Sequence, residues 1–317
     1  MTVESHQIVV AEPFDAVAIA RLTKVGDVVQ LENCDSASLA NAVSDCDALL
    51  VRSAACVTDD IIASAKRLRV IGRGGAGLDN IDLPAARRHG VAVVYTPAAS
   101  TDAVADLTVG LMLSLVRGVC SADAAVRAGR FSEARQARIG KELSEFSIGI
   151  VGLGRIGRAV ARRCRQGFGC EILFNDIVEP GWLDFSATSL GKKELYGSSD
   201  LVTLHVPLTA STHYMIDERA LELFKPGSFL VNTARGAVVK TSSLIDALQT
   251  GHLAGAALDV FEHEPLLIDD PLLTAPRTLL TPHIGARTIA GLDRMNLVVD
   301  DVVRVLRGER PHFAAPG

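Results

Sequence analysis

The chain has 317 residues, of which 48% are hydrophobic and 22% charged, and a formal net charge of −5. That length suggests two domains with ample core, and an acidic balance without a basic block argues against a nucleic-acid partner. There is no apolar run of about 18 residues to cross a membrane, Met1–Val10 does not resemble a secretory leader, and cysteines without Cys-x-x-Cys or Cys/His clusters read as reduced thiols of a cytoplasmic protein with no metal site.

Apolar, β-branched runs alternate with helical ones from the start. Gln7–Val10, Val28–Leu31, Ala48–Val51, Val70–Ile71 and Val91–Tyr95 read as strands. Phe14–Lys24, Ser36–Val43, Thr58–Ala65 and Leu83–His89 read as the helices between them. This alternation predicts an α/β unit with a parallel sheet covered on both faces. Asp82 before Leu83-Pro84 predicts an N-cap with proline in the first turn.

Gly72-Arg73-Gly74-Gly75-Ala76-Gly77 matches Gly-x-Gly-x-x-Gly, the pattern of a dinucleotide loop. No helix starts directly after it, however, and the next strand ends at Tyr95-Thr96 without an acid to hold a ribose. A glycine loop at a strand end still presents N–H groups to an anion, so it reads as a substrate loop, with a plain tight turn as the alternative.

Thr101–Val116 and Val119–Ala128 are helical. Gly129–Glu145, with Arg130, Arg135 and Arg138, has no clear period and reads either as a subunit-contact arm or as a solvated loop.

Ser147–Val151 then leads into Gly152-Leu-Gly-Arg-Ile-Gly157 and a helical run, Arg155–Gln166. Here the glycine pattern has its full context. Gly152 permits the turn, Gly154 lets backbone approach a pyrophosphate, and Gly157 lets strand and helix pack closely, with the helix N-terminus holding phosphate. Asp176 ends the next strand, Glu171–Asn175, 19 positions after Gly157. A carboxylate there accepts hydrogen bonds from a ribose diol. With no Arg or Lys in Ile177–Trp182 to bind a 2′-phosphate, the cofactor is expected to be NAD rather than NADP.

Four further strands follow: Leu201–His205, Ser228–Asn232, Ala254–Leu258 and Thr278–Leu280. Leu190–Tyr196, Glu218–Phe224 and Ser242–Leu248 read as helices between strands. Six strands in βα alternation match a complete dinucleotide-binding domain. Arg287–Leu306 reads as one long final helix that packs back on the first domain.

Ligands in such sheets bind beyond the carboxyl ends of the strands, where these strands deliver Arg235, Asp259, Glu264 and His283. A guanidinium fork can clamp a carboxylate, and an imidazole beside a carboxylate can exchange a proton. That set suits hydride transfer to a 2-oxo acid. His205, followed by Pro207, reads as wall of the adenine pocket. His263 is expected to be exposed and without a role.

The segments Val151–Gly157, His205–Leu208, Asn232–Gly236, Leu258–Pro265 and Leu280–Gly285 together resemble the D-isomer-specific 2-hydroxyacid dehydrogenases. The resemblance implies a Rossmann cofactor domain, 100–286, inserted into a flavodoxin-like substrate domain, 1–99 and 287–317. It implies Arg235, Glu264 and His283 as the catalytic set and Asp259 beside the nicotinamide, in a homodimer. Gly152, Gly154, Arg155, Ile156, Gly157, Asp176, His205, Pro207, Thr212, Thr233 and Thr101 are the other expected cofactor contacts.

Within the family, Leu50-Val-Arg-Ser53, Gly72–Asn80 and Thr96-Pro97 most resemble D-3-phosphoglycerate dehydrogenases without their regulatory domains. Arg52, Arg73, Gly74, Gly75, Ala76 and Ser100 are then the expected substrate contacts, with an arginine matching Arg135 coming from the partner subunit. Ser100 stands where Asn is usual, and Asp106 where Glu is usual. Hydroxypyruvate or glyoxylate reduction is the alternative activity. An NAD(H)-sensing corepressor, which would need a peptide-docking cleft, is the alternative of another class.

Overall fold

A computed structural model describes residues 5–137 and 140–316. By internal contacts it divides into two compact units. One contains the chain up to Ser100 together with the chain from Arg287 on, and the other is Thr101–Ala286.

The first unit runs β1 (His6–Val10), α1 (Ala16–Leu22), β2 (Gly26–Gln30), α2 (Ser36–Val43), β3 (Ala48–Val51), α3 (Asp59–Ser64), β4 (Val70–Arg73), α4 (Leu83–Arg88) and β5 (Ala92–Tyr95). Its strands form one parallel sheet in the order β2-β1-β3-β4-β5. Strand β3 is buried at all four residues, as a strand covered on both faces should be. Aspartates start the helices. Asp15, Asp35 and Asp82 each accept a hydrogen bond from the backbone amide three residues on, at 2.6, 2.8 and 2.8 Å. On one sheet face Val9, Leu49 and Ile71 pack with Leu39, Ile61, Ile62 and Ala85. On the other, Ile8, Val10, Leu50 and Val70 pack with Leu22.

The second unit begins with α5 (Thr101–Arg117), α6 (Val119–Arg127) and α7 (Phe131–Ala137). It continues with β6 (Ser147–Val151), α8 (Arg155–Arg162), β7 (Glu171–Asn175), β8 (Thr188–Ser189), α9 (Lys192–Ser198), β9 (Leu201–Leu204), α10 (Glu218–Glu222), β10 (Ser228–Asn232), α11 (Thr241–Gln249), β11 (Leu253–Leu258) and β12 (Thr278–Leu280). The parallel sheet order is β12-β11-β10-β9-β6-β7-β8. The order reverses between β6 and β9, which puts a crevice at their carboxyl ends, beside the glycine loop. Helix α5 buries Met112 and Leu115 against one face. The other face packs with Leu195, Leu221, Leu244 and Leu248.

The chain then returns to the first unit as α12 (Ile289–Asn296) and α13 (Val298–Leu306). Val298, Val299, Val302 and Leu306 of α13 complete the second face of that unit's sheet.

Three sequence expectations change. The second sheet has seven strands rather than six, because two exposed residues, Thr188 and Ser189, pair with β7. The final helix is two helices broken at Leu297. The buried Asn296 side chain there donates to Asp15 and accepts from Arg52, and the break falls where neither glycine nor proline marks one. Within Gly129–Glu145, Phe131–Ala137 is helical and Leu143–Glu145 is a 3-10 turn, while Arg138 lies outside the described residues. No single helix among the described residues is long and apolar enough to cross a membrane.

Candidate active site

The glycine loop joins β6 to α8. Gly152 has φ +90°, and a Cβ there would lie 2.6 Å from the His205 carbonyl oxygen. A Cβ on Gly157 would run into the Gly152 carbonyl. A Cβ on Gly154 would meet nothing within 4 Å. The first two glycines thus make room for the protein itself, and the third leaves space in front of the amides that start α8. Arg155 and Ile156 are the first residues of that helix. Asp176 lies just past β7, with its carboxylate accepting from the Leu153 amide at 2.5 Å and the Val178 amide at 2.9 Å. One carboxylate therefore braces the glycine loop from the next strand end.

At the end of β9, His205 Nε2 lies 3.0 Å from Thr203 Oγ1, while Nδ1 is buried without a partner. Burial pushes this imidazole down to about 3, so it stays neutral. Pro207 is exposed, and its carbonyl accepts from Thr212 Oγ1 at 2.6 Å. Thr233, past β10, is buried with its hydroxyl 2.9 Å from that of Thr108 on α5. Thr101 is the first residue of α5.

Arg235, Glu264 and His283 lie past β10, β11 and β12. His283 Nδ1 is 2.7 Å from Glu264 Oε2, and Glu264 Oε1 accepts from the Phe261 amide at 3.0 Å. Partial burial resists ionisation of Glu264. The bonds from His283 and Phe261, together with the Arg235 charge, outweigh it and hold the carboxyl below its usual range. The side chains of His283 and Glu264 are 35% and 37% exposed, so a small acid can reach them from solvent. The His283 backbone sits in the left-handed region, φ +52°, a conformation that non-glycine residues keep where surrounding structure enforces it.

Asp259 supplies that enforcement. It is 1% exposed, and its carboxylate accepts from Thr281 Oγ1 at 2.6 Å, the Ile284 amide at 2.9 Å and the Gly285 amide at 2.8 Å. Asp259, the residue expected beside a nicotinamide, thus also braces the His283 loop. Asn232 was not singled out from sequence. Its Oδ1 accepts from the Ala234 amide and its Nδ2 donates to the Arg235 carbonyl, at 3.0 and 2.9 Å, which fixes the turn that carries Arg235. The available signal was an Asn at a strand end, the residue that forms such turns. His263 is exposed.

The expected substrate residues belong to the other unit. Arg73 is buried, with Nη1 3.4 Å from the Gly74 carbonyl, and its guanidinium fills the space a Cβ on Gly75 would need. Gly74 faces Phe14 and the Met295 carbonyl, and Ala76 is half-buried. Arg52 donates from Nε to the Pro13 carbonyl at 2.8 Å and from Nη2 to Asn296 Oδ1 at 2.6 Å, with its guanidinium 4.5 Å above the Phe14 ring centre. Ser100 is buried. Asp106 lies on α5, where it and Asp102 pair with Arg163 at 2.8 and 3.1 Å.

Residues 109–285 match the family model described as D-isomer specific 2-hydroxyacid dehydrogenase, NAD binding domain. The chain is 39% identical over 310 residues to a D-3-phosphoglycerate dehydrogenase of Methanocaldococcus jannaschii, aligning 96% of this chain with 58% of that protein. It is also 39% identical over 305 residues to a glyoxylate reductase of Thermofilum pendens, 92% of this chain with 89% of that one. Thus the chain spans little more than half of the phosphoglycerate dehydrogenase and most of the glyoxylate reductase. A crystal structure of D-lactate dehydrogenase from Aquifex aeolicus, complexed with NAD and lactic acid, superposes with a TM-score of 0.88 at 30% identity, covering 96% of each chain. With its parallel sheets, glycine loop and strand-end residues in place, the chain belongs to the D-isomer specific 2-hydroxyacid dehydrogenase family, and its second unit contains the NAD-binding domain.

Proposed function

We propose that the protein interconverts a D-2-hydroxy acid and its 2-oxo acid. The observation that carries this reading is the 2.7 Å contact of His283 Nδ1 with an ionised Glu264, beside the Arg235 charge. The open space at Gly154, the α8 amides and the Asp176 carboxylate fit a dinucleotide with a free ribose diol. NADH, when bound, supplies a hydride to C2 of the oxo acid. Arg235 clamps the carboxylate and polarises the carbonyl. His283, tied to Glu264 through Nδ1, gives its Nε2 proton to the carbonyl oxygen as that bond becomes a hydroxyl. Glu264 stabilises the imidazolium from which the proton leaves. Oxidation reverses each step. Replacing His283 with Gln is expected to lower kcat about 10²–10⁴-fold while NADH binding persists. Normal turnover in that variant would remove His283 from the reaction.

Within this class we favour D-3-phosphoglycerate and 3-phosphohydroxypyruvate, with Arg52 and Arg73 beside the second glycine loop as the support for a second anion. A second reading, hydroxypyruvate or glyoxylate reduction, is favoured by the way Arg52 is already held by Pro13, Asn296 and Phe14. Steady-state rates on a panel of these acids with NADH separate the two. A kcat/KM for the phosphorylated acid about tenfold above the plain ones supports the first, and the reverse order supports the second. Tight NADH binding without turnover of any acid supports a sensor instead.

We further propose a homodimer joined through α6 and α7. Helix α6 has no buried residue, and Val119, Val126 and Phe131 are 52%, 51% and 59% exposed. Sedimentation at micromolar concentration tests this, and a monomer would refute it.

A further inference from the structure

We propose that Glu262 is a positioning residue, anchored by Tyr214, that sets where Glu264 and His283 stand relative to Arg235. The inference rests on the reading of Glu264 and His283 as the proton-transfer pair.

Glu262 joins three segments that are distant in sequence. Its Oε2 accepts from the Tyr214 hydroxyl at 2.8 Å, and its Oε1 accepts from the Thr241 amide at the start of α11. On the other side of the same turn, the Phe261 amide donates to Glu264, which holds His283. The backbone of Gly236, next to Arg235, packs directly on the carbonyl of Phe261 and the amide of Glu262. The turn 261–264 therefore meets the Arg235 segment on one side and His283 on the other. Glu262 is the side chain that pins it.

A small cavity lined mainly by Val239, Leu244, Leu258, Val260, Phe261 and Leu272 lies against the turn, and Phe261 packs on the apolar core beside it. Tyr214 is half-buried and held in the left-handed region at φ +50°, with its amide donating to the Ala237 carbonyl at 2.8 Å. Tyr214 and His283 are two of only three non-glycine residues with positive φ among the described residues, and they stand at the two ends of this chain of contacts. Such backbone is kept where the surroundings over-determine it, and it concentrates at functional sites.

Catalysis is sensitive to this kind of placement, since an error of about 1 Å can cost about 10²-fold. The test is kcat, both KM values and the pH–rate profile for Glu262→Ala, Glu262→Gln, Tyr214→Phe and His283→Gln. Glu262→Ala is expected to lose roughly 10–100-fold in kcat with the KM for NADH within about twofold, and to move the limb of the profile set by the His283–Glu264 pair by about half a pH unit or more. Glu262→Gln keeps both contacts, since its carbonyl accepts from Thr241 and its NH₂ donates to the tyrosine oxygen. It should recover kcat to within about threefold. Tyr214→Phe should show the same pattern more weakly, about 3–10-fold, and it carries the test if the Ala variant does not fold.

Normal kcat and profile in Glu262→Ala, or in Tyr214→Phe where Ala does not fold, would overturn the proposal. So would a Gln variant as impaired as Ala, because charge rather than placement would then be acting. If His283→Gln stays active, the proton-transfer reading fails and this inference fails with it. If His283→Gln is dead while Glu262→Ala is normal, only the positioning role is lost.

Discussion

Two loops of this chain have the same glycine spacing and use it in opposite ways. In Gly152–Gly157 the outer glycines let backbone approach backbone, and the middle one faces open space at a helix start. In Gly72–Gly77 a Cβ on Gly72 would run into Val302, Gly74 lies against Phe14 and Met295, and the space beside Gly75, at an x position of the pattern, is filled by the protein's own Arg73. The first pattern clears a place for something that arrives. The second clears a place for a side chain already there. A Gly-x-Gly-x-x-Gly match therefore reports close approach, and only the neighbours reveal what approaches. Here they are α8 and Asp176 for one loop, and a buried arginine for the other.

Substitutions at these glycines break or sharpen the contrast. Gly157→Ala forces a methyl into the Gly152 carbonyl, so it should cost about 3 kcal/mol or more and lower Tm on the order of 10 °C, with NADH binding lost. Calorimetry and fluorescence titration with NADH read both. Gly154→Ala should leave Tm unchanged yet raise the NADH Kd roughly tenfold, equivalent to about 1.4 kcal/mol. Unchanged affinity would mean that the open space at Gly154 is not the cofactor's. Gly75→Ala, strained at φ +147° and pressed on the buried Arg73 guanidinium, should lower Tm and raise the KM of the acid severalfold without touching NADH affinity. Weakened NADH binding there would erase the distinction between the loops.

A last effect shows only on acidification and concerns His205, whose carbonyl abuts Gly152. Its folded-state value, about 3, lies below the ordinary 6.5. The unfolded chain thus takes up a proton between those limits and the folded one does not, so stability falls as pH drops from about 6.5 toward 3, by at most about 1.4 kcal/mol per pH unit. Denaturant midpoints of His205→Asn should fall less steeply over that window. An identical slope would show that His205 is protonated in the folded protein.

How much was legible follows from how local each signal is. Buried strands such as Ala48–Val51 announce themselves in four residues, and Asp15, Asp35 and Asp82 mark helix starts within one turn. The placement of Arg235, Glu264 and His283 past β10, β11 and β12 was readable because an α/β sheet has its ligand side at the carboxyl ends of its strands. Strand β8 was not readable, since two exposed polar residues have no pattern. The break at Leu297 was hidden because no glycine or proline marks it, and the partners of the adjacent Asn296, Asp15 and Arg52, are distant in sequence. The resemblance placed Asp259 near a nicotinamide. Its partners in the fold, Thr281, Ile284 and Gly285, lie 22–26 residues further on, and nothing in the local sequence points to them. The Tyr214–Glu262 bond spans 48 residues and was missed for the same reason.

Helix α13 has a consequence for synthesis of the chain. Ile8, Val10, Leu50 and Val70 precede the whole of Thr101–Ala286 in the chain, and Val298, Val299, Val302 and Leu306, which cover them, follow it. The continuous middle segment can collapse on its own while the first sheet waits with one apolar face exposed. Nascent chains halted before α13 should therefore bind chaperones or aggregate through that face, and synthesis of α13 should end the exposure.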